Sequence, residues 1–132
     1  MASADETQAV LDFLQAQAAV VTLVSTRLWA DVEQPEKGYT PNAGPAICFK
    51  VRGGVDLDPG VLLDPSFQFK IYGKSEAIAR SAARTLHDNF EEKANKDILA
   101  VRRETLPVTL QETETDWIYA LVFYRVMVRS LT

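Results

Sequence analysis

The chain has 132 residues, of which 47 % are hydrophobic and 24 % are charged, and its formal net charge is -4. This length predicts one domain over residues 1–132, because two domains would each have a marginal core. No apolar run reaches the roughly 20 residues that cross a bilayer, and the N-terminus "MASADETQAV" is acidic and polar. We therefore expect a soluble protein with no signal peptide and no membrane partner.

The residue counts also exclude several kinds of site. Cys48 is the single cysteine and His87 the single histidine, so an internal disulfide is impossible and the usual four-ligand zinc site cannot be built. The 14 lysines and arginines are scattered along the chain, which disfavours tight binding of nucleic acid by a basic patch. We predict neither a metal nor a cofactor.

The first predicted element is an N-terminal helix. Ser3 followed by Glu6 fits a capping box, which places the start of the helix near Ala4. Apolar residues spaced by three and four predict that only one side of this helix packs against the protein. These residues are Val10, Leu11, Leu14 and Ala18.

A short strand, a loop and two longer strands follow. The run "VVTLVSTRLW" predicts a helical or irregular end to the first element and then a strand near residues 26–32. Residues 33–45 contain three prolines and two glycines, which indicates a loop. The segments "AICFKVR" (46–52) and "SFQFKIY" (66–72) alternate apolar and polar residues, so we expect two antiparallel neighbouring strands.

A second amphipathic helix is predicted from Ser75, as its N-cap, to about Lys93. Glu76 with Arg80 and Arg84 with Asp88 have the spacing of surface ion pairs on its polar face. Its expected buried face consists of Ile78, Ala79, Ala82, Ala83, Leu86 and Phe90.

The residue pattern of the C-terminal third predicts strands. Residues 98–112 form a strand pattern interrupted at Pro107, which indicates an edge strand or a bulge. The acidic run "ETETD" predicts a turn, and residues 117–131 form the longest β-type run, apolar on both faces, which favours a central strand or contact with another subunit. The fold class is thus α+β: an antiparallel sheet of about four to five strands with two main helices on one face.

The segment "RGGVDLDPGVLLDPS" (52–66) invites two ligand hypotheses, and both fail. It lacks the Gly-Lys-Ser/Thr ending of a phosphate loop. Asp56, Asp58 and Gly60 resemble the start of a calcium loop, but the twelfth position, which requires a bidentate glutamate, is Phe67. We interpret the segment as a flexible acidic connection with one apolar patch, and predict that it is an assembly-interface loop. Its candidate residues are Val55, Asp56, Asp58, Val61, Leu62, Leu63 and Asp64.

No catalytic constellation emerges from the sequence, so we predict that the protein is not an enzyme. His87 falls on a polar helix face without an orienting partner, which favours a surface histidine over a general base. Cys48 lies on the strand face opposite Ile47 and Phe49, and because cysteines are commonly buried and inert, a partly buried structural thiol is the simpler interpretation. A small enzyme or ligand-binding domain that uses Cys48 or His87 remains an alternative.

The order of elements resembles that of the tail-terminator, or tail-completion, proteins of long-tailed bacteriophages. The resemblance rests on a helix leading to "TRLWADV", on "PAICFKVRGG", on "FQFKIYGKSEAIARSAARTLHD" and on a closing "TDWIYALVFYRVMVR". In order and length it covers nearly the whole chain.

This resemblance implies a structural virion protein at the tail-neck region, assembled in the host cytoplasm. Such subunits form a hexameric ring that caps the tail tube, stops its polymerisation and offers the surface that joins the head. The implied partners are other copies of the chain, the major tail tube protein and a head-tail connector, with genomic DNA passing through without specific binding. Another neck or connector subunit is the alternative within the same class.

Overall fold

The computed structural model describes residues 2–58, 62–95 and 97–129, with the backbone alone described for residues 2–5, 54–58 and 62. The α+β class is confirmed, with three helices and six strands rather than two helices and four to five strands. In chain order the elements are α1 (Ala2–Gln15), α2 (Ala18–Val24), β1 (Leu28–Ala30), a 3-10 turn (Pro41–Ala43), β2 (Ala46–Asp58), β3 (Leu62–Gly73), α3 (Glu76–Phe90), β4 (Ile98–Arg103), β5 (Val108–Gln111) and β6 (Ile118–Arg129).

All six strands belong to one sheet. Its order is β1-β2-β3-β6-β4, and β5 also pairs with β6. Every pairing is antiparallel except that of β1 with β2, which is parallel. The predicted antiparallel pairing of β2 with β3 is confirmed. The alternating patterns ended at Arg52 and began at Ser66, whereas β2 continues to Asp58 and β3 already begins at Leu62.

The N-terminal region forms two helices because the chain turns between them. The axes of α1 and α2 meet at 87°. Val10 and Leu14 are buried as predicted, whereas Ala18 is exposed at the start of α2. Helix α1 already includes Ala2, so Ser3 lies inside it and is not its N-cap. Among the described residues no single helix is long and apolar enough to cross a membrane, although α1 and α2 would suffice together by length and composition.

Helix α3 begins where the sequence predicted. The Ser75 hydroxyl accepts a hydrogen bond from the Ile78 amide at 3.2 Å, as an N-cap does. The helix lies close to the end of β3: a Cβ on Gly73 would be 2.6 Å from the Ala79 nitrogen. The expected buried face is confirmed except at Ile78, which is 40 % exposed.

Pro107 separates two strands that share one edge of β6. Strand β4 pairs with the second half of β6, and β5 pairs with its first half. Strand β6 therefore lies inside the sheet, with β3 on its other side, which confirms the prediction of a central strand.

The two faces of the sheet differ in what covers them. All three helices pack on one face, where the main core includes Phe49, Phe69, Phe90 and Tyr124. On the opposite face a second, smaller cluster lies beneath the loop of residues 33–45. Tyr39 anchors this loop, because its ring packs near Trp29, Tyr72 and Trp117 and its hydroxyl donates to the Gly44 carbonyl at 2.6 Å. None of the helices in the described residues packs on the rest of that face.

Candidate functional site

The predicted interface loop is instead the paired end of a β-hairpin. Val55 lies opposite Asp64, Asp56 opposite Leu63, and Asp58 opposite Leu62, so six of the seven candidate residues are in β2 or β3. Val61 lies outside the described residues. The prediction of a flexible connection was wrong here because β6 reaches far enough to pair with the same end of β3, matching Leu63 with Val128.

The calcium and phosphate hypotheses gain no support from this geometry. Asp56 and Asp58 are on a strand, and Phe67 is fully buried in the helix-covered core. No group of three or more His, Cys, Asp or Glu side chains in the described part of the chain is arranged to hold a metal ion.

A charged network joins the base of this hairpin to the rest of the sheet. Ser66, which is 4 % exposed, donates to Glu104 and accepts from Arg52 Nε at 2.9 Å. Arg125 bridges Asp64 at 3.2 Å and Glu104 at 3.3 Å. The five residues come from β2, β3 and β6 and from Glu104, which directly follows β4, so the network ties these strands together at the base of the hairpin.

The electrostatics of the network favour its charged form. Burial alone would raise the pKa of Glu104, but the hydrogen bond from Ser66 and the charges of Arg125 and Arg52 together hold that pKa below its ordinary value. The hydrogen bond to Asp64 raises the pKa of Arg125. Sequence analysis missed this site because its members are up to 73 positions apart, from residue 52 to residue 125, and no local pattern links them.

The uncovered face carries cations that are mostly paired. Lys50 lies 3.0 Å from Glu33, and Arg52 and Arg125 both contact Glu104. Arg52 also lies over the ring of Phe123, 4.0 Å from its centroid. These cations are therefore held by acidic or aromatic neighbours on the same face.

Cys48 is a structural thiol. It is 1 % exposed in the small cluster beneath the loop of residues 33–45, and burial raises the pKa of its thiol to about 12. A thiol with such a pKa is protonated at neutral pH and is therefore a poor nucleophile.

His87 is more enclosed than a typical surface histidine. Its side chain is 27 % exposed, and its Nδ1 lies 3.1 Å from the Tyr124 hydroxyl and 3.9 Å from Glu91. It projects from α3 on the helix-covered face, whereas Cys48 is on the other face of the sheet. The sheet separates the two residues, so they cannot form a nucleophile–base pair.

The acidic turn after β5 is tied to the small cluster. Glu112 accepts hydrogen bonds from the Tyr72 hydroxyl at 2.6 Å and from the Thr115 hydroxyl at 2.8 Å. Burial and the hydrogen bond to Glu112 raise the pKa of the Tyr72 hydroxyl. Glu114 and Asp116 are exposed, as expected for a turn, but Glu112 is a structural acceptor.

Comparison with known proteins connects this fold to a virus-like particle. No protein-family model matches the sequence, and no curated protein matches it. Among solved structures, the chain is similar to one in the "Virion of native gene transfer agent (GTA) particle". The TM-score is 0.67 at 19 % sequence identity, and the match covers 98 % of each chain. The two chains therefore share a fold over their whole lengths.

Proposed function

We propose that this protein is a non-enzymatic structural component of a phage-like virion. The observation that carries the proposal is the similarity in fold, over 98 % of both chains, to a chain in a gene transfer agent virion. Because the similarity in fold extends over 98 % of both chains, it is not limited to a single shared structural motif. The separation of Cys48 from His87 by the sheet supports the non-enzymatic part.

We further propose the tail terminator as the specific role. In this role the protein forms a ring, of six copies, on the finished tail tube and offers the surface that joins the head. Its partners are then the tube protein and a head-tail connector, and DNA passes through the ring. The sequence resemblance supports this assignment, and so does a sheet face that no helix covers, since a small subunit gains by burying such a face in an assembly.

The hairpin end of β2 and β3 is the proposed assembly surface. This end is paired strand and not loop, and an element that is already ordered costs less to order on binding than a flexible loop does. Its candidate residues stay as predicted: Val55, Asp56, Asp58, Val61, Leu62, Leu63 and Asp64.

Inactivation of the gene tests the role. Loss of a tail terminator leaves overlong tails and free heads, whereas loss of another neck or connector subunit leaves tails of normal length. Electron microscopy of the resulting particles separates these outcomes. If particles form normally without the protein, and mass spectrometry finds it absent from purified virions, the structural proposal is wrong.

Substitutions at the two candidate catalytic residues test the enzymatic alternative. Cys48→Ala and His87→Ala should both leave particle yield unchanged, provided that circular dichroism shows each variant to be folded. A folded variant that assembles no particles would instead favour an enzyme or a ligand-binding domain.

A further inference from the structure

The loop of residues 33–45 lies across the sheet face opposite the helices, and one side chain fixes its middle. Tyr39 is buried, whereas every other residue of the loop is exposed or half-buried. The ring of Tyr39 lies among three aromatic side chains, with centroid distances of 5.7 Å to Trp29, 6.5 Å to Tyr72 and 5.5 Å to Trp117. Tyr39 therefore plugs an aromatic pocket whose walls belong to other parts of the chain.

The backbone of the loop adds little to this attachment. Its hydrogen bonds join loop residues to one another, as from the Tyr39 amide to the Glu36 carbonyl at 3.1 Å and from the Ala43 amide to the Thr40 carbonyl at 3.0 Å. The Tyr39 hydroxyl also donates inside the loop, to the Gly44 carbonyl. These bonds can persist when the loop moves as a unit, so they do not oppose its detachment.

Polar side chains tie the loop to the sheet at its two ends. At the first end, the Glu33 carboxylate lies 3.0 Å from the Lys50 ammonium and is hydrogen-bonded to Gln68. The Glu33 side chain is largely exposed, so solvent weakens this ion pair. At the other end, Arg27 Nε donates to the Pro45 carbonyl at 2.9 Å. The burial of the Tyr39 ring is thus the main attachment of the middle of the loop.

Grooves undercut the loop on both sides of this plug. One groove, of about 290 Å³, lies beside β1 and has Lys37 of the loop and Trp29 of the strand in its lining. The other, of about 250 Å³, separates Gln34 of the loop from the turn between β5 and β6. Solvent therefore reaches the loop from two sides, and Tyr39 can withdraw without a change in the sheet.

The main core lies on the other side of the sheet. Residues 33–45 are all described, and none of them belongs to the helix-covered core. Beneath the loop, Cys48 is 1 % exposed in the same small cluster as Tyr39 and Tyr72. Opening of the loop would therefore uncover this cluster and leave the packing of the three helices intact.

We propose that Tyr39 is a built-in plug, and that the loop of residues 33–45 opens as a unit by withdrawing it while the sheet and the helix-covered core stay folded. Segments with few buried apolar contacts open locally at a lower free energy than the whole domain unfolds. The open form presents the pocket of Trp29, Tyr72 and Trp117, which the chain's own Tyr39 occupies in the closed form. This inference concerns the single chain and does not depend on the proposed virion role.

The reactivity of Cys48 tests the opening, because it is the single cysteine of the chain. Its thiol can add to excess N-ethylmaleimide only when the cluster is uncovered, and intact-mass spectrometry follows the reaction. In the native protein the rate should hardly change at low urea concentrations, since local opening exposes little surface. A rate that rises with urea as steeply as global unfolding does, or no reaction before the domain unfolds, overturns the proposal.

Three variants locate the plug. Tyr39→Ala should react at least about tenfold faster, because the buried ring is lost. Tyr39→Phe should stay within about threefold of the wild type, since it keeps the ring and loses only a hydrogen bond inside the loop. Val101→Ala is the control: it weakens the helix-covered core on β4 and should react like the wild type.

Circular dichroism verifies that each variant is folded. Equal acceleration by Val101→Ala and Tyr39→Ala would show that Cys48 reacts only through global unfolding, and would overturn the proposal. If Tyr39→Ala does not fold, the urea dependence of the wild type and the rate of Val101→Ala still decide between local and global opening.

Discussion

Phe69 and Phe123 lie on adjacent strands of the same sheet but on opposite faces, and their surroundings differ completely. Phe69 is fully buried, with ring centroids of Phe49, Phe90 and Tyr124 between 5.2 and 5.5 Å away. Phe123 is half-buried under the guanidinium of Arg52. The helix-covered face is thus held by close aromatic packing around Phe69, whereas the opposite face at Phe123 is held by a cation–π contact and by partly exposed ion pairs.

Removing the two rings tests this contrast most strongly. Phe69→Ala should lower the free energy of unfolding by about 3–5 kcal/mol, because it leaves a cavity among three aromatic rings. Phe123→Ala should cost only about 1–2 kcal/mol, since that ring is partly solvated. Urea denaturation followed by tryptophan fluorescence measures both. Equal losses would mean that the two faces contribute alike and would break the comparison.

A methyl group at Gly73 probes how closely the helix layer approaches the sheet. Gly73→Ala should lower the free energy of unfolding by about 1–3 kcal/mol, because the new Cβ would collide with the backbone of Ala79 rather than with a movable side chain. Lys74→Ala, at the exposed neighbouring position, should change it by less than about 0.5 kcal/mol. Thermal and urea unfolding measure the difference, and a stable Gly73→Ala variant would contradict the close contact.

The uncovered face should be sensitive to acid through Glu104. Since its pKa is lowered on folding, Glu104 stabilises the protein at pH values above its ordinary pKa of 4.5, and this stabilisation is lost as pH falls through the folded value. Glu104→Gln should therefore cost roughly 1 kcal/mol at pH 7, and this cost should shrink as the pH falls below 4.5.

Urea midpoints between pH 7 and pH 3 measure this convergence. Phe69→Ala is the control, because its cost comes from packing and should be similar across the same range. A Glu104→Gln deficit that stays constant with pH would show that the network does not depend on the carboxylate charge.

The smallest effect is expected for a lysine that lies over an aromatic ring on the uncovered face. The Lys70 ammonium lies 5.1 Å from the centroid of the Tyr119 ring, so Lys70→Ala should cost about 0.5 kcal/mol. Lys93→Ala, at an exposed position after α3, should have no measurable effect. A loss above about 1.5 kcal/mol at Lys70 would mean that the uncovered face is more tightly coupled to folding than its partial exposure indicates.

The two strands "AICFKVR" and "SFQFKIY", the Ser75 N-cap and the central position of the last strand could all be predicted from the sequence. Each depends on interactions between residues that are close in the chain or on a repeating pattern of apolar residues, so the information is local. The burial of Cys48 does not follow from this alternation, which placed it on the polar face with Lys50; Tyr39, from the loop of residues 33–45, and Tyr72 enclose it only in the folded chain.

The charged network and the strand structure of residues 52–66, in contrast, depend on tertiary contacts. The charged network of Asp64, Ser66, Glu104 and Arg125 exists because β3, β4 and β6 become neighbours, and no local spacing encodes that arrangement. Likewise, the glycines and prolines of residues 52–66 indicated a loop, but the pairing of β2 with β3, and of β3 with β6, makes most of that segment strand. Local sequence determines what a segment prefers, whereas cross-strand hydrogen bonds and burial, which only the folded chain supplies, determine what it becomes.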